Sequence, residues 1–178
     1  MKRALIISSI VVGIVLILAF AAVSTRVRKD IKKKLAFENT YAIQNVASGM
    51  CVRPLNAGYQ NGNKIIAYSY KDWECITWEM ISLGDNTYLL KNLFTEKTFQ
   101  PKAEPKAGVE LWQQSLGGSP LQYWELIKQP DATTLIRLKN TALYLTISSK
   151  DQDAPLVLMP LDNTDSQKWK LIRQTPWI

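Results

Sequence analysis

The sequence holds no histidine and two cysteines, Cys51 and Cys75, in 178 residues. Without an imidazole there is no Ser-His-Asp or Cys-His nucleophile, no His-based zinc site and no histidine general base. Two cysteines are too few for a four-thiolate metal site within one chain. Acids are plentiful, yet no spacing marks two of them as a catalytic pair. The residues therefore predict a binding protein rather than an enzyme, with no metal and no cofactor. Aromatic residues are the ones suited to binding. Tyr68, Tyr70 and Trp73 fall within six residues, with Tyr59 in a Gly- and Asn-rich loop nearby and Trp177 near the end of the chain. Exposed aromatic clusters are a common protein-contact device, and the alternative here is local packing.

Charge separates the chain into two parts. The net charge of +7 comes from residues 1–34, which carry eight Lys or Arg and one acid, whereas residues 35–178 carry fourteen of each sign. A neutral body has no basic stripe to neutralise phosphates, so no nucleic-acid partner is expected. Residues 4–23 form an apolar run broken only by Ser8, Ser9 and Gly13. As a helix this run would span roughly 30 Å, the thickness of a bilayer core. The expectation is one N-terminal hydrophobic helix over 1–24, either an anchor or a cleaved signal, since Ala19 and Ala21 also make an acceptable cleavage site. A basic linker, 25–37, follows. Its Arg26, Arg28, Lys29, Lys32, Lys33 and Lys34 outnumber Lys2 and Arg3, which by the positive-inside rule would keep the rest in the cytoplasm.

The remainder, 38–178, repeats three times. Tyr41-Ala-Ile-Gln-Asn45 returns as Tyr88-Leu-Leu-Lys-Asn92 and as Ile136-Arg-Leu-Lys-Asn140, offsets of 47 and 48 residues. Each copy ends on a tryptophan followed by a polar and two apolar residues: Trp78-Glu-Met-Ile, Trp124-Glu-Leu-Ile and Trp169-Lys-Leu-Ile. Between these markers lie Ile65-Ile-Ala-Tyr68, Val109-Glu-Leu-Trp112 and Leu156-Val-Leu-Met159. The runs are short, aliphatic and aromatic, and bounded by Gly, Pro, Asn and Asp, a pattern of strands and turns. Four strands in each of three copies, about 39–82, 86–128 and 133–173, predict an all-β domain. A single copy of about 45 residues is too small to bury a core alone.

The endings Gln122-Tyr-Trp124 and Gln167-Lys-Trp169, and the opening Asn45-Val-Ala-Ser-Gly-Met-Cys-Val52, resemble the ricin B-chain type β-trefoil lectins. A more distant similarity is to the lectin-like subunits of cytolethal distending toxins. The first copy departs from the pattern, with Ile76 in place of the glutamine. The resemblance implies a β-trefoil in which Trp78, Trp124 and Trp169 are core, while Gln122 and Gln167 satisfy backbone groups. It also implies a Cys51–Cys75 bridge across an insertion-like Lys71-Asp-Trp-Glu74, the alternative being two unrelated thiols. A bridge would place the domain in an oxidising compartment, so an extracytoplasmic domain, anchored or secreted, is the expectation.

In the resembled lectins a sugar pocket combines an Asp, a polar residue on the central strand, an aromatic ring two residues later and an Asn before the Q-x-W. The ring stacks on the C–H face of a pyranose while polar groups fix its hydroxyls. Carried over, the positions read Arg53, Ile66, Tyr68 and Cys75 in the first copy. They read Gln100, Glu110, Trp112 and Leu121 in the second, and Thr146, Val157, Met159 and Ser166 in the third. Gln100, Glu110 and Trp112 are thus the best sugar-binding set, against a solvated strand edge as the alternative. Two functions follow as expectations: a carbohydrate-binding module taking a glycan or glycoprotein, or a trefoil that has lost sugar binding and contacts a protein through Tyr68, Tyr70 and Trp73.

Overall fold

The computed structural model describes residues 37–176 together with Thr25, Val27, Arg28 and Ile31. The chain divides into two units, Met1–Glu38 and Asn39–Ile178. In the first, Thr25, Val27, Arg28 and Ile31 are helical and exposed, and Phe37 and Glu38 lie in a turn. The apolar run 4–23, with the helix expected there, lies outside the described residues, as does Trp177. No helix among the described residues is long and apolar enough to cross a membrane.

In the second unit every apolar run becomes a short strand. Six strands, β1 (Thr40–Asn45), β4 (Thr77–Gly84), β5 (Thr87–Asn92), β8 (Tyr123–Lys128), β9 (Thr134–Leu138) and β12 (Lys168–Arg173), pair antiparallel in a closed ring. Closure leaves no strand edge in the barrel to pair with another chain. Three hairpins complete the fold: β2–β3 (Cys51–Pro54, Ile65–Tyr68), β6–β7 (Thr98–Pro101, Leu111–Gln114) and β10–β11 (Leu143–Ile147, Leu156–Pro160). The hairpins join one another through single bridges, Lys64 to Trp112, Glu110 to Val157 and Pro155 to Ile66, which close a triangle. This is a β-trefoil.

The expected core tryptophans Trp78, Trp124 and Trp169 are all fully buried in one cluster with Ile43, Leu90 and Ile136. Their indole N–H groups are not treated alike. Trp78 donates to Val52 O at 2.9 Å and Trp169 to Leu145 O at 3.0 Å, but Trp124 Nε1 has no partner. At the position of Val52 and Leu145 the second copy has Phe99, whose ring meets Trp78 edge-on at 5.1 Å and Trp124 tilted at 5.0 Å. A larger ring at the centre replaces a hydrogen bond with aromatic packing.

Strand pairing corrects three readings of the sequence. Tyr41, Tyr88 and Thr134 each face the tryptophan of their own copy, and Asn45, Asn92 and Leu138 that of a neighbouring copy. The third copy's counterpart of Tyr41 and Tyr88 is therefore Thr134, not Ile136, and the spacings are 47 and 46 residues. In the hairpins Ile66 pairs with Arg53, Trp112 with Gln100 and Val157 with Thr146. Trp112 thus matches Ile66 and Val157, while Gln114 occupies the ring position of Tyr68 and Met159. Both slips are of two residues, which leaves every side chain on its original face, so the apolar pattern could not expose them. Finally, five residues separate Tyr68 from the 3-10 turn at Glu74, as many as separate Gln114 from Pro120 and Met159 from Asp165. The stretch with Trp73 is a regular loop, not an insertion.

The expected Cys51–Cys75 bridge is absent; both are free thiols. They lie in a small cluster of their own with Ala42 and Ile76, against Ala57, Tyr68, Phe94 and Ile172. Burial pushes the Cys51 thiol up to about 12 and raises that of Cys75 as well. In that setting both are protonated apolar fillers rather than nucleophiles.

Candidate functional site

On the second hairpin, alternation along β6 and β7 puts Gln100, Trp112 and the preceding Glu110 on one face. The three expected residues meet there. Trp112 is half-buried, and its indole N–H donates to Glu110 Oε2 at 3.3 Å. Lys102 reaches the same oxygen at 3.1 Å and also stands 5.6 Å from the Trp112 ring, while Lys64 meets Glu110 Oε1 at 3.5 Å. The bond from Lys102, then that from Trp112 and the charge of Lys64, hold the Glu110 carboxyl below its ordinary range. Gln100 is oriented by Gln122, whose amide donates to Gln100 Oε1 at 2.9 Å. That bond leaves the Gln100 amide N–H groups as donors for a ligand.

The ring is also supported from the first copy. Gly62, at φ +80°, passes so close to Trp112 that a Cβ there would lie 3.7 Å from the ring. The loop bearing Gly62 is pinned by Gln113, fully buried on β7, which donates to Gly58 O at 2.8 Å and Gln60 O at 3.0 Å. Sequence reading missed Gln113. Its signal was a polar residue where the other copies have Ala67 and Leu158, visible only in the corrected register.

On the first hairpin Tyr68 is half-buried, its ring 6.5 Å from that of Trp73 and 4.2 Å from the Arg53 guanidinium. Trp73 and Tyr70 are exposed at 45% and 43%. Tyr70 joins neither ring. Tyr59, 56% exposed, stacks instead on Phe94 at 4.8 Å. The aromatic set thus forms two pairs and one isolated ring. On the third hairpin Thr146 is held by Gln167 at 3.1 Å beside Val157 and Met159, and carries no charge or ring.

The two glutamines act through the same geometry. Besides Gln100, Gln122 donates to Ser115 O and accepts from Gly117 N; besides Thr146, Gln167 donates to Pro160 O and accepts from Asp162 N. Each ties the loop before its tryptophan to the leading residue of its hairpin. A further hollow, of about 380 Å³, opens where β1 and β5 begin, lined by Tyr41, Tyr88, Met80, Leu126, Asn39 and Asn86 among others. At the position equivalent to these two tyrosines the third copy has Thr134, a size difference concealed by the two-residue slip.

A closed barrel capped by three hairpins, with a Q-x-W anchor in two of the three copies, defines a β-trefoil. Comparison with known proteins agrees. The sequence pattern of a family described as ricin-type beta-trefoil lectin domain-like matches residues 32–100. Among solved structures, the fold is shared with ThreeFoil, a designed threefold-symmetric protein (TM-score 0.73, 23% identity, 75% of this chain and 98% of that one). It is shared with the Macrolepiota procera ricin B-like lectin in complex with lactose (0.65, 19%, 75% and 94%). The Haemophilus ducreyi cytolethal distending toxin is also similar (0.63, 15%, 79% and 86%). No curated protein matches the chain by sequence. At these identities the structures establish the fold and leave the ligand to the site.

Proposed function

We propose that the trefoil is a non-enzymatic carbohydrate-binding module whose ligand seats on the outer face of hairpin β6–β7. The observation that carries this reading is the half-buried Trp112 ring, held by Glu110 and backed by Gly62, beside the free amide N–H groups of Gln100. A fixed aromatic face takes the C–H face of a pyranose, while amide and carboxylate give direction to its hydroxyls. A lactose complex of a protein sharing this fold supports the ligand class. A glycan array probed with the chain tests it. Binding that disappears in Trp112→Ala, with melting temperature unchanged, is the expected outcome; an empty array from folded protein would sink the reading.

A second reading rests on Tyr70 and Trp73, which remain 43% and 45% exposed. These rings suit a protein partner, in the manner of a toxin-type accessory subunit. A co-purifying partner lost in Trp73→Ala but kept in Trp112→Ala would favour it.

Tethering through residues 4–23, with the domain outside the cytoplasm, belongs to the proposal as well. With both thiols free the redox argument for export falls away, and the basic residues after the apolar run oppose it. Protease digestion of intact and lysed cells decides the side: cleavage of the trefoil in intact cells supports export, and protection refutes it.

A further inference from the structure

The first hairpin carries a charge that its fold does not answer. Arg53 is 7% exposed, and its hydrogen bond is from Nε to Pro54 O at 3.1 Å. No carboxylate among the described residues pairs with it; Asp72 and Glu74, in the adjoining loop, do not reach it, and the ion pairs present lie elsewhere. Its terminal nitrogens are not among the sealed ones, since the buried unbonded side-chain atoms among the described residues are Thr98 Oγ1, Trp124 Nε1 and Thr134 Oγ1. An arginine more than nine-tenths buried as a residue, with no carboxylate beside it, is costly unless something supplies the anion.

Comparison of the copies explains why this donor is free. In the second and third copies the Q-x-W glutamine bonds the leading residue of its hairpin, Gln100 or Thr146. In the first copy Ile76 stands in that place, fully buried and unable to bond Arg53. Beside the guanidinium lie the Tyr68 ring at 4.2 Å and, 6.5 Å from that ring, the exposed Trp73. An open guanidinium edge suits an oxyanion bound through two parallel N–H bonds, and adjacent aromatic rings suit the apolar face of a sugar.

We propose that Arg53, Tyr68 and Trp73 form a second ligand site that takes the carboxylate or sulfate of an acidic saccharide. The inference extends the carbohydrate reading to a hairpin and a ligand chemistry different from those of the second copy. It depends on that reading only for the saccharide class.

The test is saturation-transfer NMR on the full chain in nonionic micelles, with D-glucuronate, its neutral counterpart D-glucose, and inorganic sulfate as competitor. Glucuronate should receive saturation and be displaced by sulfate, while glucose should bind at least about tenfold more weakly. Arg53→Gln should abolish the glucuronate signal. Arg53→Lys, which keeps charge and bulk but lacks the planar fork, should weaken it about tenfold and covers the case in which Arg53→Gln fails to fold. Trp112→Ala should leave it unchanged. In the Trp112→Ala background, a glucuronate signal that persists in Arg53→Gln, or glucose binding equal to that of glucuronate, overturns the proposal. Arg53-dependent sulfate binding without any glucuronate signal overturns the saccharide assignment. An empty neutral-glycan array with glucuronate binding intact would remove the second-copy site alone, and the reverse result would remove this one alone.

Discussion

The inner and outer faces of the same three hairpins differ in what they preserve. Inward, Val52, Phe99 and Leu145 hold one position and Ile65, Leu111 and Leu156 another, all fully buried. Outward, the matching positions hold Arg53, Gln100 and Thr146, then Ile66, Trp112 and Val157. The inward set meets at one shared core, where a change in any copy is felt by all three. The outward residues face separate surroundings, so each copy is free to adopt its own chemistry. The shared fold is thus encoded on one side of these strands, and the proposed ligand chemistry on the other.

The strongest way to break this contrast is to cut into the shared core. Trp169→Ala should cost about 3–5 kcal/mol, read by denaturant unfolding, because the ring is fully buried in the common cluster. A surface-like loss would show that the copies do not share one core. The glutamine anchors come next. Gln167→Leu removes bonds to Thr146, Pro160 and Asp162 and should cost about 1–3 kcal/mol by the same measurement. The reciprocal Ile76→Gln should also destabilise, since it puts an amide among Cys51, Cys75 and Ala42.

A finer distinction separates two tryptophans of equal burial. Trp78→Phe removes a bond to Val52 O, whereas Trp124→Phe removes a donor that has no partner. Trp78→Phe should therefore be worse by about 1 kcal/mol in paired unfolding curves. Equal losses would mean that the Trp124 indole finds a partner in solution. The smallest effect is electrostatic. The bond from Lys102, with Trp112 and Lys64, holds the Glu110 carboxyl below its ordinary range. A lowered carboxylate stabilises the folded state above its unfolded pKa, and the contribution is lost as pH falls through the folded value. Wild type and Glu110→Gln should therefore differ at neutral pH by no more than about 1 kcal/mol and converge in acid. A gap that widened on acidification would contradict the clamp.

The barrel was legible because its marks are redundant. Trp78, Trp124 and Trp169 recur with their flanking apolar residues, and a core has to be apolar wherever it is copied. The outer face was less legible for a specific reason. A strand shifted by two residues keeps the same alternation, so pattern alone could equate Trp112 with Tyr68 when pairing matches it to Ile66. The grouping of Gln100, Glu110 and Trp112 survived that slip because all three share one face. Arg53 was visible in the sequence only as a lost aspartate. Its burial, its missing partner and the part played by Ile76 depend on contacts between distant segments.

A saccharide seated on the outer face of the second hairpin has to touch the Trp112 ring. The chain has six tryptophans, each with one indole N–H signal in a nitrogen–proton correlation spectrum. Titration with a neutral glycan selected from the array should shift the Trp112 signal saturably. The buried Trp78, Trp124 and Trp169 should stay still, as should Trp73 on the first hairpin. A shift at Trp73 with none at Trp112 would contradict the account.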